Sequence, residues 1–152
     1  MADVDPFHLD RFVRAQAPVI VTVRAELLRG RKQSHWMWFV FPQIAGLGGS
    51  DMARRYAIGS LAEARAYLAH PVLGPRLAEL TRIVLSHAGQ SAQAIFGGID
   101  AVKFRSSLTL FEAAGGDGVF AQALNAFFGC ERDQATLARL AGERPASVRT
   151  DS

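Results

Sequence analysis

The sequence predicts an all-α fold, a single helical domain over residues 1–142 followed by a polar tail at 143–152. Apolar residues recur three and four apart in one segment after another, the spacing that gives a helix one buried face. Serine and aspartate stand before these segments and glycine after them, the residue types that cap and stop helices. No stretch alternates apolar and polar residues as a half-buried strand would. The expected architecture is an irregular array of about eight or nine short helices with short loops, packed around an aromatic core segment.

Asp5 followed by Pro6 predicts a helix over 6–16, with Leu9, Phe12 and Val13 inward. Pro18 opens a second, striped by Val19, Val23 and Leu27 and stopped by Gly30. The run from Trp36 to Phe41 is apolar at every position and must enter the core. It reads either as a helix turn capped by Ser34 or as a buried strand, and Pro42 ends it. Ile44-Ala-Gly-Leu-Gly-Gly49 reads as a loop. Ser50 caps a short helix, and Ser60-Leu-Ala-Glu63 matches a capping box broken later by His70-Pro71. Leu73, Leu77, Leu80 and Val84 mark the clearest amphipathic helix. Ser91 caps a short one ending at Gly97-Gly98. Asp100 caps the next, with Phe104, Leu108 and Phe111 on one face. Asp117 starts another, with Phe120, Leu124 and Phe127 inward. Asp133 caps the last, with Leu137 and Leu140 inward.

Composition narrows the function. Hydrophobic residues make up 49% and charged residues 20% of the 152, as in an ordinary globular protein. The formal charge of +3 is spread along the chain, which argues against a nucleic-acid surface. A single cysteine, Cys130, excludes an intrachain disulfide. The start, Met-Ala-Asp-Val-Asp, lacks the regions of a signal peptide, and no apolar run approaches the ~18 residues of a membrane span, so the expectation is a cytoplasmic protein. His8, His35, His70 and His87 are scattered without ligand spacing, so no metal is expected. The chain carries no P-loop, nucleophile elbow or dinucleotide fingerprint, so no cofactor is expected either.

Two stretches could carry chemistry. In the first, Arg31, Lys32 and His35 stand at the mouth of the aromatic run. The neighbouring cations favour a neutral His35 ring, able to donate a hydrogen bond or act as a general base. The plainer alternative is that the two cations offset the C-terminal dipole of the preceding helix. In the second, Lys103, Arg105 and Ser106 fall in the first turns of the helix that Asp100 is expected to cap. Cations there oppose the dipole, and a bound anion would relieve that misfit. The plainer alternative is that they reach solvent, Asp100 or Glu112.

Gly30-Arg-Lys-Gln-Ser-His-Trp-Met-Trp-Phe-Val-Phe-Pro-Gln43 and the following Gly46-Leu-Gly48 resemble the bacterial family catalogued as domain of unknown function 1810. The resemblance continues through Arg55-Tyr-Ala-Ile58, His70-Pro-Val-Leu-Gly74, Ile95-Phe-Gly97, Asp100, Lys103 and Ser106-Ser-Leu-Thr-Leu-Phe111. It covers nearly the whole chain; Phe104 departs from it, where a smaller aliphatic residue is common. Members are sometimes labelled "calpastatin", a name for a disordered inhibitor that this apolar, glycine-stopped chain does not fit. The resemblance implies a small helical bacterial protein and no assigned activity.

The residues therefore support one leading expectation, a site for a small anionic ligand bearing phosphate or carboxylate. Trp36 and Trp38 would wall it, and Arg31, Lys32, Gln43, Lys103, Arg105 and Ser106 would hold the ligand. His35 would be the catalytic group if there is turnover. The competing expectation is a non-catalytic module that binds a protein partner through an apolar patch. The first requires the two stretches to meet in space.

Overall fold

A computed structural model describes residues 4–142 of the chain, so the tail expected at 143–152 lies outside the described residues. Within them are ten helices: α1 (Asp10–Gln16), α2 (Ile20–Leu28), α3 (Met37–Val40), α4 (Asp51–Arg55), α5 (Leu61–Ala69), α6 (Leu73–Leu85), α7 (Ala92–Phe96), α8 (Gly98–Ala113), α9 (Val119–Phe128) and α10 (Gln134–Gly142). No strand occurs among the described residues. A lone parallel bridge joins Ile44 to Ile58, and the aromatic run folds as the single turn α3.

The longest helix, α8, lies at the centre and packs against α5, α7, α9 and α10. It buries Phe104, Leu108 and Phe111 as its spacing predicts, and also Ser106, Ser107 and Thr109. A helix covered on most sides has no single apolar stripe, which is why small hydroxyl residues fit its interior. Two of these hydroxyls are satisfied locally: Ser106 donates to the Val102 carbonyl at 3.2 Å and Thr109 to the Arg105 carbonyl at 2.8 Å. Phe41, the last residue of the aromatic run, meets Phe104 edge-on at 5.1 Å between centroids and Phe96 at 6.0 Å. Phe104 in turn stacks on Phe96 at 4.6 Å. Tyr67 continues the ring cluster to Phe12 and Phe111, each at 5.2 Å.

Caps fix the helix starts. Ser50, Ser60 and Ser91 each accept the backbone N–H three residues on, at 3.0–3.1 Å. Asp117 and Asp133 accept from Val119 and Thr136. Four expectations need correction. Helix α1 starts at Asp10, not at residue 6, because the Asp5 carboxylate accepts from Leu9 and Asp10 and closes a turn ahead of it. Glu63 completes its capping box one residue early, accepting from Gly59 N–H at 2.8 Å and from Arg11 at 3.0 Å. Asp100 is inside the first turn of α8 rather than its cap, because the helix already begins at Gly98, after Gly97 turns the chain at φ +86°. In α10 the buried residue is Thr136, while Leu137 faces solvent.

Candidate functional site

The site begins with a residue that the reading of motifs passed over. Glu26 lies on the buried side of α2, 2% exposed, beside the apolar stripe of Val23 and Leu27. A lone carboxylate there needs donors. It obtains them because Gly30, at φ +73°, turns the chain back over the end of α2. Glu26 then accepts from Gln33 N–H at 2.9 Å, Ser34 N–H at 3.0 Å, the Ser34 hydroxyl and the Trp36 indole N–H at 2.9 Å. Burial pushes its pKa up, but the bonds from Ser34, Gln33 and Trp36 outweigh burial and hold it down at about 2. Ser34 therefore does not cap α3; its hydroxyl is spent on Glu26. The signal in the sequence was the acid itself, set at helical spacing on an apolar stripe.

Lys32 fastens the other side of this loop. Its N–H donates to the Ile95 carbonyl at 2.7 Å, at the end of α7. Its ammonium, on a side chain only 6% exposed, pairs with Asp100 at 2.8 Å and donates to the Ser34 carbonyl at 2.6 Å. It also stands 5.0 Å from the Trp36 ring centre, within cation–π range. Lys103 approaches the other carboxylate oxygen of Asp100, at 3.8 Å, and lies 5.0 Å from the ring centre of Trp38.

These contacts bring the two stretches together. Lys32, His35, Trp38, Gly98, Asp100 and Lys103 line one open cleft of about 450 Å³. Two ammonium groups face one carboxylate there, and the positive end of the α8 dipole adds to the excess. His35 is exposed at the rim, and its ring has no hydrogen-bond partner among the described residues.

Other expected members fall elsewhere. Trp36, at 1% exposed, is a core ring bonded to Glu26 and forms no wall of the cleft. Arg31 is exposed and outside the lining. Gln43 lines a separate cavity that shares Trp38 with the cleft. Arg105, two residues after Lys103 and so about 200° further round the helix, pairs with Glu131 at 3.1 Å and Asp133 at 3.9 Å. Ser106 is buried inside the α8 packing. The dipole misfit inferred for Lys103 and Arg105 is thus met by acids of the chain itself. Among the described residues no group of three or more His, Cys, Asp or Glu side chains could hold a metal ion. None of the described helices is long and apolar enough to cross a membrane.

The same segments recur in other proteins. The chain is 52% identical to the conserved hypothetical protein Rv1873 from Mycobacterium tuberculosis, whose crystal structure superposes with a TM-score of 0.88. The likeness covers 90% of this chain and 99% of that one. No curated protein matches. Residues 6–140 match the model of a family described as protein of unknown function (DUF1810). The match spans the helices from α1 to α9, the Glu26-held loop and both lysines of the cleft, and the chain belongs to that family.

Proposed function

We propose that the cleft between the Gly30–Trp36 loop and the start of α8 binds a small anionic ligand carrying a phosphate or carboxylate. The observation that supports this reading is the convergence of Lys32, His35, Trp38 and Lys103, drawn from two distant stretches, around the α8 N-terminus. Their roles differ. Lys32 is nearly buried and clamped by Asp100, so it sets the local potential and holds the loop. Lys103 is more exposed and only loosely paired, so it is the cation free to swing onto a ligand. His35 at the rim serves as hydrogen-bond donor and, if the ligand is turned over, as general base. The setting proposed is the cytoplasm.

Thermal-shift screening with phosphate- and carboxylate-bearing metabolites tests this. A true ligand at 100 times its Kd stabilises by about 2.7 kcal/mol. Lys103→Ala and His35→Ala should respond more weakly than the wild type. If no anion raises the Tm, or if both variants respond as the wild type does, the cleft is not an anion site.

One observation favours the second reading, a non-catalytic interaction module. Ile99, in the cleft wall, and Val102, three residues further along α8, are 77% and 54% exposed. A null result in the screen would turn attention to that apolar edge.

A further inference from the structure

Trp38 also forms part of a second, smaller cavity of about 120 Å³. The backbone builds it: Ile58 N–H donates to the Gln43 carbonyl and Ala45 N–H to the Ile58 carbonyl, both at 2.8 Å. This ties the chain after the aromatic run to the chain after α4 and leaves Gly46-Leu47-Gly48 arched over the gap. Gly46, at φ +98°, holds a backbone conformation that other residues rarely adopt, and its carbonyl accepts from the Arg139 guanidinium at 3.2 Å.

Three uncharged hydrogen-bonding side chains contribute to the wall: Trp38, Gln43 and Tyr56. Neither the indole N–H, the carboxamide nor the phenol hydroxyl has a hydrogen-bond partner among the described residues. Tyr56 is only 8% exposed, but its hydroxyl keeps access to solvent. The nearby residues of the same types behave differently. Trp36 donates its N–H to Glu26, and the Tyr67 hydroxyl accepts from Gln16 at 3.1 Å. Elsewhere in this core, then, the polar atoms of aromatic residues are matched by protein, as interiors generally require. In this cavity they are left for whatever enters it. The charged residue in its wall, Arg54, is already engaged by Asp51 and the Gly49 carbonyl. The cavity is close to the ~150 Å³ of an engineered site that takes up benzene, which is about one six-membered ring.

We propose that this cavity binds a planar, uncharged heterocycle with both donor and acceptor groups, and that Trp38 joins it to the cleft, so that the ligand is nucleotide-like. The anionic half of this assignment rests on the reading of the cleft given above. The heterocyclic half rests on the unmatched Trp38, Gln43 and Tyr56 groups.

Isothermal titration with inorganic phosphate, free nucleosides and their 5′-monophosphates, using the common bases and nicotinamide, separates the two halves. At least one monophosphate should bind roughly tenfold or more tighter than both phosphate and its own nucleoside. Tyr56→Phe and Gln43→Ala should weaken that complex by roughly fivefold to twentyfold, one hydrogen bond's worth, and leave phosphate binding unchanged. Lys103→Ala should weaken both. Tyr56→Phe removes a hydroxyl that bonds nothing among the described residues, so an unchanged melting curve verifies that the variant folds. If phosphate binds but no monophosphate surpasses it, or if both cavity variants bind the nucleotide as the wild type does, the heterocycle site is overturned and the anion cleft stands. If a nucleoside binds as well as its monophosphate, the link between the two halves is overturned. If neither phosphate nor any nucleotide binds, the nucleotide-like assignment is overturned, and the carboxylates of the thermal-shift screen decide the cleft.

Discussion

Trp36 and Trp38 are two residues apart and chemically identical, yet the fold treats them in opposite ways. Trp36 is sealed, its N–H given to Glu26 and its ring faced by the Lys32 ammonium. Trp38 is half-buried, has no partner for its N–H among the described residues, and borders two cavities. The difference follows from where each ring stands relative to α3. Trp36 precedes the helix at φ −139°, outside helical geometry, while Trp38 lies within the turn, so the two rings leave the backbone in different directions. Trp36 meets Glu26 of α2 and the loop that Glu26 gathers. Trp38 borders the start of α8 and the Gly46–Gly48 arch. The comparison separates a structural knot from a candidate binding wall within a single motif.

The largest effect expected is at Trp36. Replacing it by alanine removes a fully buried ring and leaves Glu26 one donor short, a loss of about 3–5 kcal/mol in urea unfolding. Trp38→Ala should cost less than half as much, because its ring is only partly covered. Equal losses would mean that Trp38 is as structural as Trp36.

Glu26 gives the knot a pH signature. Its pKa is held at about 2 in the folded protein against an ordinary 4.5. A carboxylate whose folded pKa is depressed contributes stability in full above its unfolded pKa and loses it as pH falls through the folded one. The contribution, on the order of 3 kcal/mol, should therefore fade between pH 4.5 and 2. Subtracting the stability profile of Glu26→Gln from that of the wild type should reveal this slope, and a flat difference would show that the knot is not held by charge.

The two lysines extend the comparison to the cleft. Lys32→Ala strips Asp100 of its closer partner and should cost about 2 kcal/mol, below the loss for a sealed pair because Lys103 remains nearby. Lys103→Ala should cost less than about 1 kcal/mol, as for other exposed pairs. A larger loss at Lys103 than at Lys32 would reverse the roles assigned to them.

Much of the fold was legible in residue order. Ser50, Ser60, Ser91 and Asp133 act as caps where their positions predict, because capping is a contact between residues three apart. The site was legible only in part. Lys32, His35, Trp38 and Lys103 share a cleft, but Arg105 is turned away by the period of its own helix. Glu26 was missed because its partners lie seven to ten residues ahead, past a reversal of the chain that depends on Gly30. Asp100 was read as a cap and is instead the acid between two lysines.

The sequence by itself determined the helical class, the caps, the glycine stops and the burial of the aromatic run. Each follows from local backbone preference or from the aversion of apolar side chains to water, and neither depends on distant partners. Only the tertiary structure decided which tryptophan is sealed, which cations are paired and which polar groups are left unmatched. Those outcomes depend on where the ends of α2, α7 and α8 meet, and hydrogen bonds and ion pairs act only over the few ångströms that such meetings create.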